Sequence, residues 1–147
     1  MKVKNCLIFG GSGQIGSHLI RKLTKNNYKV TVVTRNIHQK SYKIKTQANA
    51  GYIEIVESSI FDERKIRKLF ENADICINLV GILFESKRGN NFYNIHTIFP
   101  TLLSKMSKEY NLNKFIHLSA LGINQAEDSE YAKTKLNGEL NIFAYSN

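Results

Sequence analysis

Apolar residues along the chain follow two alternating patterns: short continuous runs, and longer stripes with helical spacing. The short runs are rich in β-branched residues and are bounded by glycine or polar residues, which is typical of strands. Continuous apolar character, rather than strict alternation, favours parallel strands that are covered on both faces. Five strands are predicted in this way, at Cys6–Phe9, Tyr28–Thr34, Tyr52–Val56, Asp74–Val80 and Lys114–Ser119.

The stripes with helical spacing lie between these strands. The first helix begins at Gln14, has apolar residues at 15, 19, 20 and 23, and ends near 26–27. Further helices are predicted at Asp62–Phe70, Phe92–Tyr110 and Ser129–Phe143, with Asp62 as an N-cap. Pro100 lacks a backbone N–H, which predicts a kink or a restart of its helix at Phe99. Residues 36–50 are polar and are predicted as a loop or a short helix.

Strands that alternate with helices predict an α/β fold, in which right-handed crossovers build a doubly wound parallel sheet with helices on both faces. The 147 residues, 42% of them hydrophobic, suffice for one domain spanning residues 1–147. About five strands of such a sheet are predicted in this chain.

A glycine-rich turn joins the first strand to the first helix, with glycines at 10, 13 and 16. Gly10 permits a sharp turn, Gly13 a close approach of backbone to phosphate, and Gly16 tight packing of the helix on the sheet. The N–H groups of the first helical turn would face a diphosphate. The alternative is an incidental glycine-rich turn. The residues predicted to bind a dinucleotide here are Gly10, Gly11, Ser12, Gly13, Gln14, Ile15 and Gly16.

Arg35 follows the second predicted strand, at the point where a dinucleotide site meets the adenosine ribose. An acid there would accept a hydrogen bond from the 2′-hydroxyl of NAD, whereas a guanidinium suits the 2′-phosphate of NADP. Arg35 therefore predicts NADP(H), with NAD(H) as the alternative. An ordinary surface arginine is the other interpretation. The end of the fourth strand should also pass close to the cofactor, at Leu79, Val80 and Gly81.

The last predicted helix contains Tyr131 and Lys135, four residues apart and therefore on one face. A nearby ammonium favours the phenolate of a tyrosine, which could then exchange a proton with a substrate. Lys135 could also donate to the nicotinamide ribose, and Ser119 ends the preceding strand, where it could bind the reacting oxygen. These three residues are the predicted catalytic group. A half-buried tyrosine without a catalytic role is the alternative.

The net charge of +9 favours an acidic partner or an anionic membrane surface, or else a simply solvated basic surface. The lysines are scattered and lack interleaved aromatic residues, which argues against nucleic acid. Cys6 and Cys76 lie in strands and are predicted to be buried thiols in a reducing compartment, with no metal. No apolar stretch approaches the roughly 20 residues of a membrane span. A cytoplasmic protein is expected.

The chain resembles the short-chain dehydrogenase/reductase superfamily, in its extended or atypical branch. It is most similar to the NAD(P)H-binding accessory subunit family of respiratory complex I (NADH:ubiquinone oxidoreductase) and its bacterial relatives. The segments that carry the resemblance are Phe9-Gly-Gly-Ser-Gly-Gln-Ile-Gly16, Arg35, Asn78-Leu-Val-Gly-Ile-Leu83, Phe92 with His96, His117-Leu-Ser-Ala-Leu-Gly122 and Tyr131-Ala-Lys-Thr-Lys-Leu-Asn-Gly-Glu139.

This resemblance implies a Rossmann-like sheet and a tightly held NADPH with a structural or regulatory role, in a protein peripheral to the inner face of the respiratory membrane. Respiratory complex subunits would then be its partners. It also implies a cofactor contact at His96, with a packed polar residue as the alternative, and places Ser59 and Ile60 beside the adenine, where relatives carry an aspartate. The competing function is an NADP-dependent reductase, epimerase or dehydratase. Relatives continue into a substrate-binding portion, so a C-terminally truncated domain is expected.

Overall fold

In the computed structural model, which describes residues 2–146, the core of the chain is a five-stranded sheet in which every pairing is parallel. The strand order is β3-β2-β1-β4-β5, with β1 at the centre. Since neighbouring strands are parallel, all five carboxyl ends meet at one edge. The strands are β1 (Asn5–Phe9), β2 (Lys29–Thr34), β3 (Ile53–Glu57), β4 (Ile75–Asn78) and β5 (Lys114–His117).

The helices cover both faces of this sheet, as predicted. Helices α1 and α2 contribute Ile20 and Ile44 to an apolar cluster with Ile8 and Val32 on one face. Helices α3 and α4 cover the other face, in a second cluster centred on Phe9. The helices are α1 (Gln14–Lys25), α2 (Ile37–Lys45), α3 (Glu63–Phe70), α4 (Phe99–Glu109) and α5 (Glu130–Ser146), with a π-helical segment at Tyr93–Ile98.

Most predicted boundaries agree with the structure to within two residues, and the differences have local causes. Of the region 36–50, predicted as a loop or a short helix, Ile37–Lys45 form helix α2, and the Asn36 side chain accepts the Gln39 N–H as its N-cap. Strand β4 ends at Asn78, two residues earlier than predicted. The Asn78 Oδ1 accepts the Val80 N–H at 3.1 Å, so this backbone donor is satisfied outside the sheet. Helix α5 extends three residues beyond the predicted end at Phe143.

The predicted restart at Phe99 is confirmed, and its form is a π-helical turn. Residue 100 would normally supply the N–H that bonds the His96 carbonyl, but Pro100 has none. The helical turn is instead wider than in an α-helix, and the Phe99 N–H bonds the Asn94 carbonyl five residues earlier. Pro100 then occupies the first turn of α4, where its missing donor costs nothing.

Both cysteines are buried free thiols, and burial raises the pKa of Cys6 to about 12. Within residues 2–146, no helix is long and apolar enough to cross a membrane.

Candidate functional site

A cavity of about 690 Å³ lies at the carboxyl edge of the sheet. This edge is where open parallel sheets bind ligands. Its walls come from the turn after β1 and from the ends of β2, β3 and β4. Eight of the residues predicted to bind a cofactor line it, namely Gly10, Ser12, Gly13, Arg35, Ile60, Leu79, Val80 and Gly81.

Gly10 turns the chain away from β1 with a left-handed backbone, φ +80°. A methyl side chain there would lie 2.8 Å from the Leu79 carbonyl carbon and 2.9 Å from the Val80 nitrogen. These are backbone atoms at the end of the neighbouring strand, and they cannot move aside to make room for a side chain. Only glycine satisfies both the conformation and the close approach of the two strand ends.

Gly11 and Gly16 are packing residues and do not line the cavity. A methyl group on Gly16 would meet the Gly11 backbone at 2.5–2.6 Å, and one on Gly11 would lie 2.7 Å from Val32 Cγ1. Gly16 therefore packs tightly against the backbone of the glycine turn, and its packing on the sheet stays a prediction. This packing against the turn places the N-terminus of α1 beside the cavity. Gln14 and Ile15, the first residues of α1, do not line the cavity, and Ile15 is exposed.

Gly13 is the N-cap of α1, and no side chain caps this helix end. A methyl group on Gly13 would meet only the Gly10 carbonyl oxygen, at 3.6 Å, which is ordinary contact. No acidic residue lies in the first turn of α1. The uncapped N-terminus of α1 therefore directs the positive end of the helix dipole toward Ser12 and Gly13, which line the cavity, an arrangement suited to an anion.

Arg35 lies at the other end of the cavity, beside Asn36, Gln39 and Lys40 of α2. Its Nη1 donates to the Asn90 Oδ1 at 3.3 Å, which ties the end of β2 to the loop after β4. Among residues 2–146, no aspartate or glutamate lines the cavity. This end is thus a basic and polar wall without a carboxylate.

The position of Ser59 beside the adenine stays a prediction, although Ser59 does not line the cavity while its neighbours do. Ser58 and Ile60 line the cavity and Ser59 does not. The Ser59 hydroxyl instead accepts the Phe61 N–H at 3.1 Å, in a local turn before α3.

At the opposite end, Gly81 connects the cavity to the predicted catalytic group. A methyl group on Gly81 would lie 3.6 Å from the Lys135 Nζ and 3.9 Å from the His96 Nε2. Lys135 is only 5% exposed, and burial lowers its pKa. Its ammonium donates to the Leu118 carbonyl at 3.3 Å and lies 5.9 Å from the Tyr131 ring centre. The structure thus brings Lys135 and Tyr131 together, behind the cavity wall.

Ser119 differs from expectation, since its hydroxyl is not open to a ligand. The Oγ atom is buried and has no hydrogen-bond partner within residues 2–146. The following segment, 120–129, forms turns that separate β5 from α5. The sequence places Ser119 at the end of β5, but no pattern in the sequence indicates that its hydroxyl is buried.

His96 is buried, at 1% exposed, and both of its ring nitrogens are engaged. The Nε2 accepts the Ile82 N–H at 3.2 Å, and the Nδ1 lies 3.3 Å from the Thr134 hydroxyl. The ring stacks on Phe92, with centres 5.5 Å apart, and meets Tyr131 edge-on at 5.0 Å. His96 does not line the cavity, so its predicted direct contact with a cofactor is not seen in this arrangement.

A second histidine, His117, lies in the same region and was not assigned a role from the sequence. Its Nδ1 pairs with the Asn78 Nδ2 at 3.1 Å across β4 and β5, while its Nε2 is buried without a partner within residues 2–146. Burial, and then the charge of Lys135, lowers the pKa of His117 to about 4. The strand pattern could have identified it, because His117 and Ser119 point to the same face.

The sheet order and the glycine turn together define a Rossmann-like α/β fold. The chain belongs to the NAD dependent epimerase/dehydratase family, whose model matches residues 6–146. Among solved structures, it is similar to UDP-glucuronic acid 4-epimerase from Bacillus cereus in complex with NAD, with a TM-score of 0.80 and 24% identity over 96% of this chain and 52% of that one.

Among curated proteins, the chain is similar to subunits of mitochondrial NADH dehydrogenase. It is 23% identical over 132 residues to the NADH-ubiquinone oxidoreductase 40 kDa subunit of Neurospora crassa, covering 90% of this chain and 35% of that protein. It is 24% identical over 135 residues to NADH dehydrogenase [ubiquinone] 1 alpha subcomplex subunit 9 of Mus musculus, covering 92% and 36%. The chain spans about a third of the length of these relatives.

Proposed function

We propose that the chain is an NAD(P)(H)-binding module, in which the dinucleotide has a structural or regulatory role within a larger assembly. The observation that carries this proposal is the position of the cavity on the uncapped N-terminus of α1. The diphosphate would bind at Ser12 and Gly13, beside the uncapped N-terminus of α1, whose dipole favours an anion. The B. cereus epimerase, which has the same fold, is described in complex with NAD.

The residues present fit such a group. The cavity of about 690 Å³ is within the range of small-molecule and cofactor sites. Its lining combines apolar side chains, such as Val33, Ile60 and Leu79, with the basic side chains of Arg35 and Lys40. A dinucleotide bound here would supply hydride-transfer chemistry. This chain's own residues bind and orient it, and Gly81 places it against the buried ammonium of Lys135.

We further propose a preference for NADP(H) over NAD(H). Arg35 and Lys40 both line the adenosine end, and no carboxylate lines the cavity to accept a 2′-hydroxyl. The contact with Asn90 uses one guanidinium nitrogen of Arg35 and leaves its other donors available to a phosphate. NAD(H) is the alternative, since the solved relative contains NAD.

The cofactor preference is tested with an Arg35→Asp variant, titrated with NADPH and NADH by calorimetry and by the rise in melting temperature. We expect wild type to bind NADPH at least tenfold more tightly than NADH, because a charge-assisted phosphate contact contributes roughly 1.5–3 kcal/mol. Arg35→Asp should reverse the order. Lys43→Gln on α2, which removes a positive charge outside the cavity, is the matched control.

Equal affinity of wild type for the two dinucleotides would contradict the NADP(H) preference and leave dinucleotide binding intact. Binding of neither would contradict the proposed function itself.

We propose that the partner is an acidic surface of a respiratory complex or of the membrane around it. The support is the net charge of +9 and the similarity to two NADH dehydrogenase subunits. Attraction of this kind is screened by salt. The chain should therefore cosediment with respiratory membranes at low ionic strength and be released at high ionic strength. Equal recovery from the membranes at both ionic strengths would contradict an electrostatic partner surface.

Turnover by Ser119, Tyr131 and Lys135, as in a reductase, epimerase or dehydratase, stays a prediction. No feature of the site favours it over binding alone, because the Ser119 hydroxyl is covered.

A further inference from the structure

His96 lies where two parts of the site meet, and its hydrogen bonds fix its protonation state. The Thr134 hydroxyl donates its own hydrogen to the Glu130 or Tyr131 carbonyl, at 2.8 and 3.0 Å, as helix hydroxyls do. Toward His96 it can therefore only accept, which requires a hydrogen on Nδ1. The Nε2 accepts the Ile82 N–H and must carry none. The ring is thus the neutral Nδ1–H tautomer.

The charges around the ring agree with this assignment. Burial, then the ammonium of Lys135 and then His117, lowers the pKa of His96 to about 4. The ring is held between Phe92 and Tyr131, so it has a single orientation. A cationic ring would lose the Ile82 bond, because both nitrogens would then be donors.

The π-helical turn explains why His96 points inward. Without an N–H at Pro100, the turn widens, and the His96 carbonyl faces Gly138 of α5 so closely that no side chain fits there. The adjacent Thr97 hydroxyl donates to the Thr134 carbonyl at 2.8 Å. The π-helical segment and α5 are therefore in backbone contact at the position where His96 bonds Thr134.

The two partners of His96 belong to different functional elements. Ile82 lines the cavity and follows Gly81, next to the buried Lys135 ammonium. Thr134 lies on α5, three residues after Tyr131 and one before Lys135. The imidazole is a direct bridge between the cavity wall after β4 and the helix that carries the Tyr131–Lys135 pair.

We propose that His96 is a positioning residue, a neutral bridge that fixes the Gly81–Ile82 wall of the cavity against α5 and that does not itself touch the dinucleotide. This inference rests on the proposed function for its ligand. It replaces the direct cofactor contact predicted from the sequence. The bridge sets the distance between the bound dinucleotide and Lys135, because both are held through the same imidazole.

Three variants test the bridge. His96→Phe keeps the ring volume and removes both hydrogen bonds. His96→Gln places an amide oxygen near the Nε2 position, where it can again accept the Ile82 N–H. Thr97→Val is the matched control, because it removes a buried hydrogen bond to the same residue of α5 without touching Ile82.

We expect His96→Phe to weaken NADPH binding roughly tenfold, since the Ile82 N–H loses its partner and the Gly81–Ile82 wall of the cavity is no longer fixed. His96→Gln should recover most of that affinity. Thr97→Val should lower the melting temperature as His96→Phe does and leave the affinity within about twofold, as expected for a purely structural bond. Hydrogen exchange at the Ile82 amide should be slow in wild type and His96→Gln, and fast in His96→Phe. The ring nitrogens of His96, followed by NMR, should show the Nδ1–H tautomer.

Similar losses of affinity in His96→Phe and Thr97→Val, or no rescue by His96→Gln, would contradict the proposed bridge. His96 would then be interpreted as a packed polar residue without a positioning role. A direct cofactor contact would instead show as a change of the His96 nitrogen signals on NADPH binding. If wild type binds no dinucleotide, the proposed function fails. Even in that case, the hydrogen-exchange rates of the Ile82 amide and the tautomer of His96 would show whether the hydrogen-bonded bridge exists.

Discussion

Replacement of Gly138 by alanine should lower the free energy of unfolding by about 3 kcal/mol, the upper range for forcing atoms into a packed interior. A methyl group at this position would overlap the carbonyl oxygen of His96 on the π-helical segment. Both groups belong to backbones, so the clash can be relieved only by moving α5 away from its neighbour. The same change in an exposed helix would stabilise it by roughly 1 kcal/mol, since glycine is the poorer helix former.

The opposite signs of these two effects make the Gly138 measurement decisive. Chemical and thermal denaturation should show Gly138→Ala melting about 10 °C below wild type, at roughly 2–4 °C per kcal/mol for a chain of this size. Asn137→Ala is the control, because residue 137 is the exposed neighbour on the same helix and should be neutral or slightly stabilising. A melting temperature for Gly138→Ala at or above that of wild type would show that α5 does not pack as described.

The sequence predicts the fold well because its signals are local. Each apolar run and each helical stripe can be read within a window of about a dozen residues. The glycine turn is partly local: Gly16 meets the Gly11 backbone within one strand–turn–helix unit, whereas Gly10 also meets Leu79 and Val80 at the end of β4. Even the restart at Phe99 follows from one residue, Pro100. These features were predicted, and the structure agrees.

The rest of the site depends on residues that are distant in the sequence. His96 bonds Thr134 across 38 residues, and Asn78 pairs with His117 across 39. No periodicity connects such positions, because sheet order and helix packing bring them together. Gly138 is a further example. The sequence alone does not explain a glycine within a helix, and its role becomes clear only when the neighbouring backbone at His96 is known.

Two details of the site depend on local folding that the sequence does not reveal. Ser59 was expected beside the adenine from a family position, and the turn before α3 places Ser58 and Ile60, but not Ser59, on the cavity. Ser119 was expected to bind the reacting oxygen because it lies at a strand end, but its Oγ atom is buried in the structure. Strand ends locate a site at the edge of a sheet. They do not determine which hydroxyl at that edge is accessible.

Gly13→Asp is the variant expected to separate dinucleotide binding from folding. Gly13 has an extended backbone, φ −72° and ψ 179°, and space for a side chain. As the N-cap of α1, an aspartate would accept a backbone N–H that lacks a partner and would stabilise the unliganded chain by a few tenths of a kcal/mol. The same carboxylate would occupy the anion position that the proposal assigns to the diphosphate.

We therefore expect Gly13→Asp to melt at or slightly above the temperature of wild type without ligand, and to lose the stabilisation by NADPH almost completely. A tenfold or larger loss of affinity follows from placing a negative charge against a phosphate in a partly enclosed site. Gly13→Ser supplies the same cap without the charge and should retain most of the binding. If NADPH stabilises Gly13→Asp as much as wild type, the diphosphate does not bind at α1. If Gly13→Ser loses binding to the same extent, side-chain volume rather than charge is responsible, and close backbone approach is then the property of Gly13 that the ligand requires.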